Sequence, residues 1–292
     1  MPEIWTILTP VLRLAFYPAV LLAVGGIAFT ALMARHLTEA TTAYAGRVTG
    51  RAALAGFVVA ALQVPMAAGN LGGDFASMTD GMMLTLVLDT STGSAAMASM
   101  AGFLLILVGE RHRLHQQNPV RWAGPVMVVM SLTLSGHATT GGPLTAVLLA
   151  VHLAGLGFWM GALLPLRAMS LDPEGHGGMQ VLAGTAEAFG RLAGWIVAML
   201  VIAGTAYAAL LLGSINALLT TSYGNLLLVK IALVSGLLAL AALNRWRLVP
   251  GIRQGQDGAA DRLAASIGME SLAVLGILFA TALMTTSVSL PG

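Results

Sequence analysis

The stretch Pro143-Leu-Thr-Ala-Val-Leu-Leu-Ala-Val-His-Leu-Ala-Gly-Leu-Gly-Phe-Trp-Met-Gly-Ala-Leu-Leu-Pro-Leu166 is a continuous apolar run interrupted by one ionisable residue, His152. About 20 apolar residues are enough to cross the hydrocarbon core of a bilayer as a helix. An imidazole at that depth is costly and usually faces a bundle interior, a cofactor or an ion path. The run therefore predicts a transmembrane helix with a functional group near its middle.

The composition is that of a membrane protein. Of 292 residues, 57% are hydrophobic and 9% are charged, against about 25% charged residues in an average soluble domain. The chain has no cysteine, which excludes disulfides and thiolate metal sites and leaves Met and His as soft metal ligands. The formal charge of +2 comes from arginines on one side of the predicted spans. It indicates orientation in a lipid bilayer and not nucleic-acid binding.

Eight apolar segments have the length of membrane spans. They predict an all-α fold, a polytopic membrane helix bundle with eight transmembrane helices in a single domain over residues 1–292. Pro10 and Pro18 in the first segment and Thr90–Gly93 in the third are where we expect a tilt or an irregular stretch. The segments are approximately 8–34, 51–70, 83–109, 120–139, 143–166, 190–213, 222–243 and 267–287.

The basic residues fall on alternate loops. Of the 14 Lys and Arg, all except Arg13 and Lys230 lie in the loops between segments 1 and 2, 3 and 4, 5 and 6, or 7 and 8, or within the first two residues of the segment that follows. Cytoplasmic loops are enriched in Lys and Arg, so these loops are predicted to be cytoplasmic and both termini periplasmic. The loop residues are Arg35, Arg47, Arg51, Arg111, Arg113, Arg121, Arg167, Arg191, Arg245, Arg247, Arg253 and Arg262.

Four ionisable residues are predicted to share one layer in the outer half of the bilayer. From the helical rise, His152 lies about 13 Å and Lys230 about 12 Å from the outer ends of their spans. Asp89 reaches a similar depth, and Arg13 lies in the outer half of the first span. A structural ion pair of Asp89 with Lys230 or Arg13 is the plain interpretation, because buried charges need partners.

His137 and His152 are the two predicted intramembrane histidines. The tight turn Thr140–Pro143 joins their helices, so these helices should be antiparallel neighbours and the two side chains can approach each other. We expect at least one of the two to bind a metal or a cofactor. A hydrogen-bonding core histidine is the alternative.

Three further residues are predicted to be structural. Trp159 lies seven residues after His152 on nearly the same helix face, where core packing is its simplest role. Arg245 closes the seventh segment and Glu270 opens the eighth, both at the cytoplasmic end. An Arg245–Glu270 clamp is therefore predicted.

The 16 methionines are a modest excess, and several cluster on the predicted outer face. Thioether sulfur is a soft ligand suited to Cu(I), although Met also fills gaps in cores and faces lipid. Met130 shares a helix face with His137, which favours a mixed Met/His site to which Met97 could also contribute. The residues predicted to meet copper first are Met78, Asp80, Met82 and Met83.

Four pieces of sequence resemble the CopD/PcoD family of copper-resistance inner-membrane proteins, most clearly over 120–287. The resemblance implies a bacterial inner-membrane protein in copper resistance or transport, working with a separate CopC-type periplasmic copper-binding partner. The pieces are Gly136-His137-Ala138; His152 with Phe158-Trp159-Met160-Gly161-Ala162-Leu163-Leu164-Pro165-Leu166; Thr220-Thr-Ser-Tyr-Gly-Asn-Leu-Leu-Leu-Val-Lys230; and Asn244-Arg245 with Glu270.

The leading hypothesis is that copper, as Cu(I) or Cu(II), passes from the periplasmic side to a site at His137 and His152, with Met130 or Met97 nearby. Asp89 and Lys230 would set the local charge. No enzymatic activity is expected. The competing hypothesis is a membrane redox protein in which His137 and His152, or one of them with a Met, are axial ligands of haem b. A scaffold for the periplasmic partner is a third possibility.

Overall fold

The computed structural model describes residues 2–112, 118–134, 142–212 and 215–286, and the regular structure within them is helical throughout. The α-helices are α1 (Pro2–Leu32), α2 (Glu39–Gly72), α3 (Gly81–Leu88), α4 (Ser91–Arg111), α5 (Ala123–Ser131), α6 (Gly142–Leu171), α7 (Met179–Leu212), α8 (Ile215–Thr220), α9 (Ser222–Leu243), α10 (Val249–Arg253) and α11 (Ala259–Thr286). A π-helical segment, Asn244–Leu248, joins α9 to α10. Short 3₁₀ turns lie at Ala34–His36, Ala76–Met78, Pro119–Trp122 and Glu174–His176.

Among the described residues, seven helices are long and apolar enough to cross a membrane: α1, α2, α4, α6, α7, α9 with its continuation to Arg253, and α11. The all-α prediction is confirmed. The predicted span 120–139 contains the turn Pro119–Trp122 and the nine-residue helix α5, and residues 135–141 lie outside the described part of the chain. The count of eight spans and the periplasmic placement of both termini therefore stay predictions.

The predicted irregular stretch in the third segment is confirmed as the break between α3 and α4. The Thr90 hydroxyl donates to the Val87 carbonyl at 2.6 Å and accepts from the Gly93 amide at 3.3 Å, so it ends one helix and caps the next. In the first segment the expected irregular stretch is absent, because α1 continues through Pro10 and Pro18 without a break. The expected tilt stays a prediction.

Helix α1 is the central element of the bundle and packs against α2, α5, α6 and α11. Its crossing with α6 is a contact of backbone on backbone, in which Gly25 lies against Gly157 and Gly161. Small residues allow such close approach between membrane helices. This contact fixes α6, and hence His152, relative to the centre of the bundle.

Hydrogen bonds tie the arginine-bearing loops into one end of the bundle, which we call the basic end. The Thr185 hydroxyl donates to the His36 carbonyl at 2.7 Å, and the Thr38 hydroxyl donates to the His176 carbonyl at 3.3 Å. The opposite end, where α1 and α6 begin and α2 ends, is called the open end. These hydrogen bonds bring the loops after α1 and after α6 to the same end of the bundle, while the sidedness in the membrane stays a prediction.

Candidate functional site

His152 lies on α6, ten residues after its start at Gly142 and so about 15 Å from the open end. The half-buried imidazole packs against α7 at Gly204. If Gly204 carried a Cβ atom, that atom would lie 3.4 Å from Cε1 and 3.6 Å from Nδ1 of His152. Its buried Nδ1 faces the backbone of Leu200 without a hydrogen bond of acceptable geometry. Buried polar atoms are normally paired, so the unpartnered nitrogen marks this imidazole as the candidate ligand-binding group.

Lys230 on α9 lies within electrostatic range of the His152 imidazole. The structure therefore brings together two of the four predicted intramembrane ionisable residues. Lys230 is half-buried and makes no ion pair with a carboxylate in the described part of the chain. Within that part, no three His, Cys, Asp or Glu side chains are grouped closely enough to hold a metal ion. A metal at His152 would need ligands of other kinds, such as thioethers or backbone carbonyls.

Asp89 does not join this site. It is an exposed residue at the C-terminal end of α3, where its amide donates to the Thr85 carbonyl at 3.1 Å. The predicted pairing with Lys230 or Arg13 is wrong, because the break between α3 and α4 places Asp89 at an outer corner. The ion pairs among the described residues are Arg121–Glu110 and Arg253–Glu187.

The other predicted metal ligands are not seen around His152. His137 lies outside the described residues. Met97 on α4 and Met130 on α5 are exposed, by 53% and 47% of their surface, and neither is among the contacts described for His152. Their roles as ligands stay predictions, and so does the haem hypothesis, whose second axial ligand would be His137 or a Met.

The residues predicted to meet copper first do lie together at the open end. Asp80 is the N-cap of α3, and its Oδ1 accepts from the amides of Met82 at 2.9 Å and Met83 at 3.0 Å. Met82 is 75% exposed. Met78 lies against α2 at Gly69, where a built Cβ would be 2.7 Å from its Cγ. Asp80 therefore holds a short thioether-bearing segment in a fixed conformation.

Trp5 is a residue that sequence reasoning missed. Its ring is 97% buried, lies against Gly69 beside Met78, and stacks at a tilt on Phe75 with centroids 5.3 Å apart. Its indole Nε1 has no hydrogen-bond partner in the described structure. A single aromatic residue near the start of a span carries no periodic signal. Only the fold shows that Trp5 packs beside Met78, at the base of the segment that holds the exposed methionines.

A second buried polar group lies closer to the basic end. Glu270 on α11 is 3% exposed, and its Oε1 accepts from the Asn244 side-chain amide at 2.6 Å. The indole of buried Trp159 on α6 approaches the same carboxyl group without a hydrogen bond of acceptable geometry. Trp159 thus packs in the core as predicted, but it also faces a carboxyl group.

The predicted clamp between Arg245 and Glu270 is wrong. Nη1 of Arg245 donates instead to the Gly190 carbonyl on α7 at 2.6 Å. The π-helical segment begins at Asn244, and its wider turn changes which side chain faces α11. Asn244 takes the place opposite Glu270, and Arg245 turns to the neighbouring helix.

The helices and their interior ionisable side chains define a multi-pass membrane protein. Two family models match the sequence: "Copper resistance protein D-like, N-terminal domain" over residues 1–146, and "Copper resistance protein D" over residues 183–284. The chain belongs to the copper resistance protein D family. The N-terminal match reaches beyond 120–287, the part in which the sequence resemblance is clearest.

Two curated relatives agree with this assignment. Inner membrane protein YebZ of Escherichia coli strain K12 is 32% identical over 155 residues, which are 49% of this chain and 52% of that protein. Copper resistance protein D of Pseudomonas syringae pv. tomato is 34% identical over 131 residues, 43% of this chain and 42% of that protein. The matches span about half of the relatives' lengths or less. No solved structure matches this chain. The protein is a multi-pass inner-membrane protein linked by its family to copper resistance.

Proposed function

We propose that this protein binds copper ions on the periplasmic side of the inner membrane and passes them to an intramembrane site at His152. The observation that carries the proposal is the buried, unpartnered Nδ1 of His152, in contact with α7 at Gly204. Imidazole nitrogen binds copper in both common oxidation states, and thioether sulfur favours Cu(I). Copper is here the cargo and not a resident cofactor.

The proposed first binding step uses the segment that holds Met78, Asp80, Met82 and Met83. It is supported by the exposure of Met82 and by the capping bonds of Asp80, which order the segment at the open end. A separate CopC-type protein would deliver copper there, as the family resemblance implies. The direction of movement would be from this segment towards His152.

The proposed intramembrane site takes its further ligands from His137, Met130 and Met97, and Lys230 sets its charge. A lysine within electrostatic range opposes the binding of a cation, so it favours release over storage. This supports transient occupancy of the site, as expected of a transport or resistance protein. We propose no catalytic reaction for the chain.

The test is copper titration of the purified protein with Cu(I) and with Cu(II). We expect His152→Ala to lower the number of bound copper ions by one or to weaken binding at least tenfold, and His137→Ala to do the same. His176→Ala is the matched control, because His176 lies at the basic end with its Nδ1 on the Asp172 carbonyl at 2.9 Å. Unchanged stoichiometry and affinity in both test variants would overturn the proposal.

A visible absorption spectrum of the same preparation addresses the haem hypothesis. A Soret band that disappears in His152→Ala would replace the copper proposal with a redox one. A preparation without that band, which still binds copper through His152, is the expected result.

A further inference from the structure

Glu270 is a buried carboxyl group without a cationic partner. It lies on α11 between Trp159 of α6 and Asn244 at the start of the π-helical segment, and it is 3% exposed. An ionised carboxylate in such a place is costly unless a cation neutralises it. The other deeply placed glutamate shows the usual solution: Glu110 accepts from Arg121 at 2.7 Å.

The charged groups around Glu270 are all engaged elsewhere or do not reach it. On the π-helical segment Arg245 donates to α7, and on α10 Arg253 pairs with Glu187. On α6, the Nε atom of Arg167 lies beside Gly268, 3.8 Å from the position that a Cβ on Gly268 would take. Arg167 forms no ion pair in the described structure. On α1, among the side chains that the structure describes, the titratable groups are Arg13 and Tyr17, and Tyr17 bonds to Thr285 near the opposite end of α11. On α9, Lys230 lies 14 residues before Asn244, about 21 Å away along the helix.

The hydrogen-bonding groups around Glu270 suit a neutral carboxylic acid. The acid has one proton to donate, and the Asn244 side chain carries an acceptor, Oδ1, that has no partner in the described structure. Rotation of that amide by half a turn exchanges its Nδ2 and Oδ1 atoms. The same 2.6 Å contact can then be made by a carboxyl O–H donating to the amide oxygen. The indole N–H of Trp159 approaches the same carboxyl group and has no partner in the described structure.

A short route leads from Glu270 to water. Asn244 is half-buried, and the next residue, Arg245, is exposed at the basic end. The π-helical segment that starts at Asn244 has a wider turn than an α-helix, and such segments are frequent at functional sites in membrane and soluble proteins. A change in the contact between Asn244 and Glu270 would act directly on this segment.

We propose that Glu270 is a proton-binding site: a neutral carboxylic acid that exchanges its proton with water at the basic end when its contact with Asn244 opens. On release, the O–H bond of the carboxyl group breaks and the proton passes to water, leaving a carboxylate that accepts a hydrogen bond from the Asn244 amide, as in the 2.6 Å contact. The proposal goes beyond copper binding and does not depend on it.

The test is infrared difference spectroscopy of the purified protein without copper, in water and in deuterium oxide. We expect a carbonyl stretching band of a protonated carboxylic acid that shifts on deuteration and is lost in Glu270→Gln. Glu187→Gln is the matched control and should keep the band, because Glu187 has a cationic partner, Arg253, at 2.7 Å. Asn244→Ala should shift the band to a weaker hydrogen-bonded position without abolishing it.

Three results would overturn the proposal. One is the absence of any such band in the wild type, and another is its persistence in Glu270→Gln. The third is a band that does not shift in deuterium oxide, because the carboxyl group would then be neutral but closed to exchange. Should Glu270→Gln fail to fold, an unshifted band in Asn244→Ala would itself assign the proton to another group.

Discussion

Gly25 of α1 and Gly161 of α6 lie with their backbones in contact. A Cβ built on Gly25 would lie 2.9 Å from the amide nitrogen of Gly161 and would overlap the carbonyl oxygen of Gly157. Added methyl groups at such a crossing force two backbones apart and typically cost about 1–3 kcal/mol. We expect Gly25→Ala to lower the thermal unfolding temperature in detergent. Gly236→Ala is the control, since nothing lies within 4 Å of a Cβ there, and equal unfolding temperatures in both variants would contradict the crossing.

The ion pair of Arg121 with Glu110 should matter far more than that of Arg253 with Glu187. In the first pair the side chain of Arg121 is 8% exposed and that of Glu110 is 17% exposed. Arg121 also donates to the Thr30 hydroxyl at 3.3 Å. Glu110→Gln leaves a buried guanidinium without a counter-charge, at a cost on the order of 3 kcal/mol. Glu187→Gln breaks a pair that is 62% and 27% exposed, where about 0–1 kcal/mol is usual. Chemical unfolding monitored by circular dichroism compares the two, and a larger loss in Glu187→Gln would show that this ranking is wrong.

Gly204 is the residue of α7 that lies against the His152 imidazole. A valine at this position would fill the space beside Cε1 and Nδ1 of the imidazole without removing the histidine. We expect Gly204→Val to weaken copper binding by about 10–100-fold, the usual range for changes just outside a metal's own ligands. Gly184→Ala on the same helix has open space around it and should bind copper normally. Full affinity in Gly204→Val would place the copper site elsewhere.

The loop between α2 and α3 should loosen in acid. Hydrogen bonds from the Ser77 amide and hydroxyl, both 2.8 Å from Oδ1, lower the pKa of Asp74 below its ordinary value of 3.8. The folded loop therefore favours the carboxylate. Its stabilising contribution is complete above pH 3.8 and is lost as the pH falls through the lowered pKa. Fluorescence of Trp5, which stacks on Phe75 in this loop, reports the change as the difference from Trp5→Phe.

Asp74→Asn removes the titrating group and keeps a side-chain oxygen for the Ser77 amide. The acid transition of Trp5 should then disappear. Asp257→Asn, a change in a basic-end loop, should leave it unaltered. An unchanged transition in Asp74→Asn would mean that another group controls the loop.

Much of the fold could be predicted from the local sequence, but the pairing of the polar side chains could not. The break after α3 follows from Thr90 and Gly93, whose side-chain capping and small size act within a few residues. The side to which Asp89 points does not follow from local sequence, because it depends on the angle between α3 and α4 at that break. The choice between Asn244 and Arg245 as partner of Glu270 depends on a π-helical turn, which the 3.6-residue period cannot reveal.

Sequence alone determined that this is a helical membrane protein, because runs of apolar residues and the alternation of arginines depend only on transfer of side chains between water and lipid. It also determined the family and singled out His152 as an isolated imidazole in an apolar span. Tertiary structure decided what surrounds that imidazole: Gly204 and Leu200 of α7 and Lys230 of α9, with Asp89 turned away. The physical reason is that contacts between helices depend on crossing angles and rotations, which are set by packing such as that of Gly25 on Gly161 and have no local signature in the chain.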